Sequence, residues 1–197
     1  MTIFFTFGNV FFFFFAELLS KTYWETGYDV KEMQFWYYPL SFFTGITALI
    51  MAGLYKRSIK KMVALAANAY FEEEDLDMIL KVRDVSQWSS RMRAPMEEVY
   101  GKDYFPILWE QWCVSILNLA SKTADRNICK ELLEKIHCPC LIMHGAKDAM
   151  VASEHPDMLH RSIKGSRLVV FPDGKHNLHF KYKERFNEIV ESFLLES

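Results

Sequence analysis

The chain has 197 residues, of which 51% are hydrophobic, and this is enough apolar material for one domain with a buried core. Its formal net charge is −2, and its basic residues are scattered except where Lys56 adjoins Arg57 and Lys60 adjoins Lys61. Nucleic-acid binding needs a basic stripe or patch, and the sequence has none. We therefore expect no nucleic-acid partner.

The cysteines indicate neither a disulfide scaffold nor a metal site. They are Cys113, Cys129, Cys138 and Cys140, and they form no C-x-x-C pair. A chain of this length does not depend on disulfides for its core, so reduced thiols are expected. His137, Cys138 and Cys140 are close in sequence, but a structural zinc site needs four ligands with a second well-spaced pair. We expect no metal, and nothing in the sequence indicates an organic cofactor.

The first 44 residues differ in composition from the rest. Aromatic side chains crowd there without the period of 2 or 3.6 that marks a strand or an amphipathic helix. Residues 1–16 carry no charge, a run shorter than the roughly 20 apolar residues that span a membrane. The first ten residues contain no Lys or Arg, which argues against a secretory or mitochondrial leader. Membrane attachment through residues 1–18 is an alternative that this pattern does not favour.

From residue 45 the pattern becomes regular. Residues 45–55 predict a buried helix, and residues 61–67 predict a short apolar strand. The acidic run at 72–75 suits a helix N-terminus. Apolar residues at steps of three and four then continue to about residue 135, which predicts several short helices that each bury one face.

The end of the chain alternates strands and helices. Strands are predicted at about 138–144 and 167–171, and helices at about 153–163 and 180–195. Strands that alternate with helices predict a parallel sheet with helical crossovers. The expected fold class is therefore α/β.

An acid and a histidine follow the two late strands. Asp148 comes after an apolar run that breaks at Gly145, and His176 comes after one that breaks at Gly174. Either residue alone also fits a surface turn. Together, they supply two-thirds of a nucleophilic triad, in which a buried acid orients an imidazole. The order acid then histidine, each after a late strand, is that of the α/β-hydrolases.

Several further segments carry a closer resemblance. Beside the two loops, they are residues 68–70, 83–89, 100–105 and 165–168. These segments resemble the biphenyl hydrolase-like proteins, also called valacyclovir hydrolases, which are serine hydrolases of α-amino-acid esters. The resemblance runs from about residue 45 to residue 193.

The resemblance implies a partial α/β-hydrolase fold. Residues 45–197 would hold its last three parallel strands and C-terminal helix, with a helical cap at about 72–135, while residues 1–44 would be unrelated to the family. Asp148 would be the triad acid and His176 its base. The implied substrate is a small α-amino-acid ester, a related ester or a lactone, and the implied protein is a monomer. A mitochondrial location is also implied, with a cytoplasmic one as the alternative because no transit peptide is recognisable.

The nucleophile of the family has no counterpart in this sequence. The family has Gly-Trp-Ser-Asp-Gly-Gly directly before Ile-Thr-Ala-Leu, and the latter stands here at residues 46–49. Counting back from Gly45 places Phe42 at the nucleophile, with Ser41 one residue out of register. The elbow strains the backbone at the serine and needs small neighbours. We therefore expect this chain to be inactive.

Alternatives to an enzyme follow from the same comparison. Forty-four residues cannot encode five strands and their crossovers, since one βαβ unit takes about 30 residues. The strand at 61–67 is then expected to lack its outer neighbour. The chain would be a non-catalytic interaction protein that binds through this edge or the cap, or a membrane-anchored pseudo-hydrolase isoform. Residues 1–44 fit either a real isoform or translated intron sequence.

Overall fold

The structure, a computed structural model, describes residues 4–5 and 45–196. Ser41 and Phe42, which concern the nucleophile, lie outside the described residues. So does all of the segment 1–18 except Phe4–Phe5. Within the described ranges, no helix is long and apolar enough to cross a membrane.

The described residues form a parallel sheet whose successive strands are separated by helices. The parallel sheet has the order β1-β2-β3-β4, with β1 at Phe4–Phe5, β2 at Met62–Leu65, β3 at Cys140–Gly145 and β4 at Arg167–Phe171. The helices are α1 at 45–54, α2 at Glu73–Val82, α3 at Ser90–Tyr100, α4 at Tyr104–Lys122, α5 at Lys130–Leu133, α6 at Glu154–Ser162, α7 at Leu178–Lys181 and α8 at Lys183–Leu195. Short 3₁₀ turns lie at Val85–Gln87 and Ala124–Arg126. The α/β class predicted from the sequence is confirmed.

Strands β2 and β3 are buried on both faces, which explains their nearly continuous apolar sequences. Alternate residues of β3 point to opposite sides, so Leu141 and Met143 join one cluster while Cys140 and Ile142 join the other. The first cluster contains the apolar face of α8, namely Phe186, Val190 and Phe193. The second contains apolar residues of α1, α2, α4 and α6, among them Leu49, Ile79, Ile116 and Leu159.

Some element boundaries differ from the predicted ones. Strand β2 ends at Leu65 because Ala66 takes a left-handed conformation with φ of 48°. The helix predicted at 180–195 is divided into α7 and α8 at Tyr182, whose φ and ψ of −117° and 38° are not helical. Helix α4 is one helix of 19 residues rather than part of a series of short helices.

The outer edge of β2 has a neighbour over half of its length. Phe4 pairs with Met62 and Phe5 pairs with Val63, in parallel. The expectation that this strand lacks an outer neighbour is therefore wrong at Met62 and Val63. A two-residue extended segment is enough to pair with this edge, because strand pairing uses backbone N–H and C=O groups that every sequence carries.

The helices between β2 and β3 pack through aromatic side chains. The indole N–H groups of Trp88 and Trp109 both donate to the carbonyl oxygen of Val82, at 3.0 and 2.8 Å, and so satisfy the end of α2. Helix α3 ends at Gly101, whose φ of 82° favours glycine. The cap boundary at 72–135 stays a prediction.

Candidate active site

The loops that follow β3 and β4 meet at one edge of the sheet. The two strands are adjacent and parallel, and Gly145 pairs with Phe171 at their carboxyl ends. Beyond the strands, the Ala146 N–H donates to the Phe171 carbonyl at 2.9 Å, and the Lys147 N–H donates to the Gly174 carbonyl at 2.8 Å. These bonds extend the strand pairing into the loops that carry Asp148 and His176.

Asp148 and His176 form a hydrogen-bonded pair. The His176 Nδ1 lies 2.9 Å from the Asp148 Oδ2, and the side chain of Asp148 is fully buried. The other carboxylate oxygen, Oδ1, accepts the N–H groups of Met150 at 2.8 Å and Val151 at 3.2 Å. Since this carboxylate only accepts, His176 donates through Nδ1–H, which places the lone pair of the neutral ring on Nε2. The arrangement suits a general base oriented by an acid.

A cavity of about 450 Å³ opens beside His176. Its walls include Lys147, Asp173, Lys175, His176, Phe180 and Lys181. Lys147 and Asp173 form an exposed ion pair of 2.6 Å, and Lys147 holds the pKa of the Asp173 carboxyl below its usual range. The cavity is large enough for a small organic molecule and presents three ammonium groups against one carboxylate.

The histidines near this pair carry no charge at neutral pH. His144, at the end of β3, is buried, and this burial lowers its pKa while the nearby Asp148 carboxylate acts in the opposite direction. Burial also lowers the pKa of His179 to about 4, and its ring lies 4.3 Å from that of Phe180. Both rings are therefore neutral at pH 7 and act as packing groups.

A second acid–histidine pair lies nearby, and the sequence reasoning did not find it. Asp75 of α2 and His155 of α6 are joined by a contact of 2.6 Å between Oδ2 and Nε2, and both side chains are buried. In the sequence, the acidic run at 72–75 predicts only the start of a helix. The missed signal is helical spacing: Asp75 shares the buried face of α2 with Ile79, and His155 shares that of α6 with Leu159.

The described residues contain no group of three or more His, Cys, Asp or Glu side chains arranged to hold a metal ion. Cys113, Cys129, Cys138 and Cys140 are free thiols.

Comparison with known sequences finds relatives over about three quarters of the chain. No family model matches the chain. Against serine hydrolase BPHL of Homo sapiens, the chain is 47% identical over 150 residues, which cover 76% of this chain and 51% of the human protein. Identity and coverage are the same for the protein of Mus musculus. Over these 150 residues the chain is related to serine hydrolase BPHL, and its fold is that of the α/β-hydrolases. It spans about half the length of these relatives.

Solved structures agree with this fold assignment. The α/β hydrolase MGS-M2 from a deep-sea metagenome library matches with a TM-score of 0.57 at 16% identity, over 79% of this chain and 63% of that chain. An esterase from Exiguobacterium antarcticum matches with a TM-score of 0.55 at 20% identity, over 77% of this chain and 63% of that one. These likenesses concern the fold alone. The predicted partial α/β-hydrolase fold is confirmed.

Proposed function

We propose that the described part of this chain supplies the acid and the base of a serine hydrolase that cleaves small carboxylic esters. The observation that carries the proposal is the 2.9 Å bond between the buried Asp148 and His176 at the carboxyl ends of adjacent parallel strands. A nucleophilic serine would complete the triad from the elbow that precedes this region in the family.

Each residue then has a defined role. His176 Nε2 takes the proton of the serine hydroxyl as its oxygen attacks the ester carbonyl, and then gives that proton to the departing alcohol. A water molecule then attacks the acyl-enzyme with His176 as base, and His176 returns that proton to the serine oxygen as the carboxylic acid is released. Asp148 remains ionised, holds the ring through Nδ1–H and stabilises the imidazolium.

The proposed substrates are α-amino-acid esters and related small esters or lactones. The resemblance to the biphenyl hydrolase-like proteins supports this class, and so does a cavity of about 450 Å³ beside His176. The three lysines around it favour the uncharged or anionic part of a substrate over its ammonium group, so recognition of that ammonium is assigned to residues elsewhere in the enzyme.

We further propose that this chain is inactive by itself. Its sequence contains no G-x-S-x-G, and the register of the family motif places Phe42 at the nucleophile. An acid and a base without a nucleophile and an oxyanion hole give little acceleration, because those two parts carry most of the catalysis.

The experiment joins residues 45–197 to the elbow-containing part of human serine hydrolase BPHL that precedes this region. We expect the chimera to react with a fluorophosphonate probe and to hydrolyse an α-amino-acid ester, while the 197-residue chain does neither. Labelling of the native chain would contradict its inactivity. A folded chimera without hydrolysis would contradict the assigned acid and base.

Two substitutions in the chimera test the roles. Asp148→Asn presents an amide to the ring and favours the wrong tautomer, which should lower kcat by about 10⁴-fold. Asp77→Asn is the matched control, because Asp77 is an exposed acid of α2 that does not line the cavity, and its loss should leave kcat within about threefold. Similar rates for Asp148→Asn and the unmodified chimera would reject the triad.

The monomeric state and the mitochondrial location are part of this proposal and rest on the family resemblance. Light scattering of the purified chain tests the first, and fractionation of cells that express it tests the second. A membrane fraction that resists carbonate extraction would favour the anchored alternative instead.

A further inference from the structure

We propose that the buried Asp75–His155 pair is a positioning element, which holds the loop of Asp148 in the geometry that the Asp148–His176 pair needs. The inference rests on the proposed function, in which Asp148 and His176 are the acid and the base. Asp75 and His155 belong to different helices and are 80 residues apart in sequence.

The Asp75 carboxylate gathers donors from three segments. Its Oδ2 accepts His155 Nε2–H at 2.6 Å and the Glu72 N–H at 2.8 Å. Its Oδ1 accepts the N–H of Ala152 at 2.9 Å, and Ala152 lies in the loop between β3 and α6. Asp75 therefore joins the start of α2, the start of α6 and the loop that carries Asp148.

The contact at Ala152 continues the contacts that orient the acid. The N–H groups of Met150 and Val151 donate to the Asp148 Oδ1, and the next N–H, of Ala152, donates to Asp75. Three successive amides are thus shared between two carboxylates. Val151 is also buried, so this stretch is held by packing as well. A shift of Ala152 would move the two amides that hold Asp148.

A role in packing alone does not account for the pair. Asp75 and His155 are 1% and 0% exposed in their side chains, and burial of polar groups costs free energy unless every group is paired. His155 Nδ1 is buried and has no hydrogen-bond partner among the described residues. An apolar pair would avoid this cost, whereas only an acceptor such as Asp75 can hold the Ala152 amide.

The ring of His155 is itself fixed. The ring of Tyr70 meets it edge-on, with centroids 4.7 Å apart. Burial and the neighbouring Glu72 raise the pKa of Tyr70, so its phenol stays neutral. Since His155 Nδ1 has no hydrogen-bond partner among the described residues, the tautomer with the proton on Nε2 is the one that donates to Asp75. The pair is therefore pre-organised before any substrate is present.

The experiment uses the full 197-residue chain, labelled with ¹⁵N. Two signals are followed by NMR: the low-field proton of His176 Nδ1, assigned by its loss in Asp148→Asn, and the hydrogen exchange of the Met150 and Val151 amides. In Asp75→Asn, we expect exchange at both amides to become faster by about tenfold or more, the factor for one hydrogen bond to a charged group. We also expect the low-field signal to weaken or disappear.

Matched variants separate positioning from general destabilisation. Asp77→Asn removes an exposed acid from the same helix and should change neither signal. His155→Gln keeps an N–H donor for Asp75 and should preserve both signals, whereas His155→Phe removes the donor and should reproduce Asp75→Asn. Ala152→Pro removes the amide that reaches Asp75 while the buried pair stays whole, and should also speed exchange at Met150 and Val151.

Unchanged signals in a folded Asp75→Asn protein would overturn the proposal. If Asp75→Asn does not fold, Ala152→Pro decides, and unchanged exchange in that variant would overturn it equally. Neither signal requires catalysis. An inactive chimera would thus count against the proposed hydrolase while these signals still report on the positioning role.

Discussion

The backbone of Gly145 lies so close to that of Gly174 that neither residue has room for a side chain. A Cβ on Gly145 would stand 2.5 Å from the carbonyl carbon of Gly174, and a Cβ on Gly174 would stand 3.0 Å from the Cα of Gly145. Asp148 and His176 follow these glycines by three and two residues. The glycine contact therefore sets the separation of the loops that present the acid and the base.

Gly145→Ala should separate these loops. Overpacking of this kind typically costs about 1–3 kcal/mol in the free energy of unfolding, and the obstacle here is backbone, which cannot rotate away. We expect a lower urea midpoint and loss of the low-field proton signal of His176.

Gly165→Ala is the control for this substitution. Gly165 has φ of 77° and open space around its Cα, so alanine there costs about 1–2 kcal/mol in backbone strain without approaching the site. The His176 signal should persist in this variant. If the His176 signal also persists in Gly145→Ala, the Asp148–His176 hydrogen bond tolerates separation of the two loops.

Stability should decrease in mild acid. Burial lowers the pKa of His179 from 6.5 to about 4, and it also lowers the pKa of His144. Between the folded and the unfolded pKa of each histidine, the unfolded chain therefore binds more protons than the native one. The free energy of unfolding then falls as pH drops below about 6.5, by about 1–2 kcal/mol at pH 5 for His179. Urea unfolding at pH 7 and pH 5 measures this difference.

Two substitutions assign this pH dependence. His179→Gln should reduce the fall in the free energy of unfolding between pH 7 and pH 5, because one of the groups that take up protons on unfolding is gone. His137→Gln removes an exposed histidine and should leave this fall in the free energy of unfolding unchanged. An equal effect of both substitutions would argue against burial as the cause.

Two phenylalanines near the C-terminus should differ strongly in their contribution to stability. Phe186 is 2% exposed and packs from α8 onto the sheet, so Phe186→Ala should cost about 3–5 kcal/mol. Phe180 is 59% exposed, and Phe180→Ala should change the free energy of unfolding by about 0.5 kcal/mol or less. Chemical unfolding of both variants tests the contrast, and a large cost at Phe180 would reveal a contact that its exposure hides.

The four thiols should react slowly in the native protein. Burial raises the pKa of Cys113 to about 11 and that of Cys129 to about 12, and it also raises those of Cys138 and Cys140. Since the thiolate is the reactive form, alkylation by iodoacetamide at pH 8 should be slow, with the partly exposed Cys138 first. Peptide mapping measures the order, and the urea-unfolded chain is the control. Rapid native labelling of Cys129 would contradict its burial.

Local pattern was enough to locate the strands and the loops of the acid and the histidine. Apolar runs shortly before Gly145 and Gly174 predicted both strands to within two residues, because a run of apolar residues and a break after it are properties of neighbouring residues. The same patterns could not show that Phe4–Phe5 pairs with β2. That pairing joins segments about 60 residues apart and depends on the path of the chain.

The sequence by itself determined the α/β class, the family relationship and the presence of Asp148 and His176 after consecutive strands of one sheet. Only the tertiary structure decided that Gly145 touches Gly174, and that Asp75, one acid among several at the start of α2, is the one that reaches His155 and the Ala152 amide. The physical reason is that periodicity and turn chemistry act between neighbouring residues. Which buried groups meet depends on how helices and loops distant in sequence pack together.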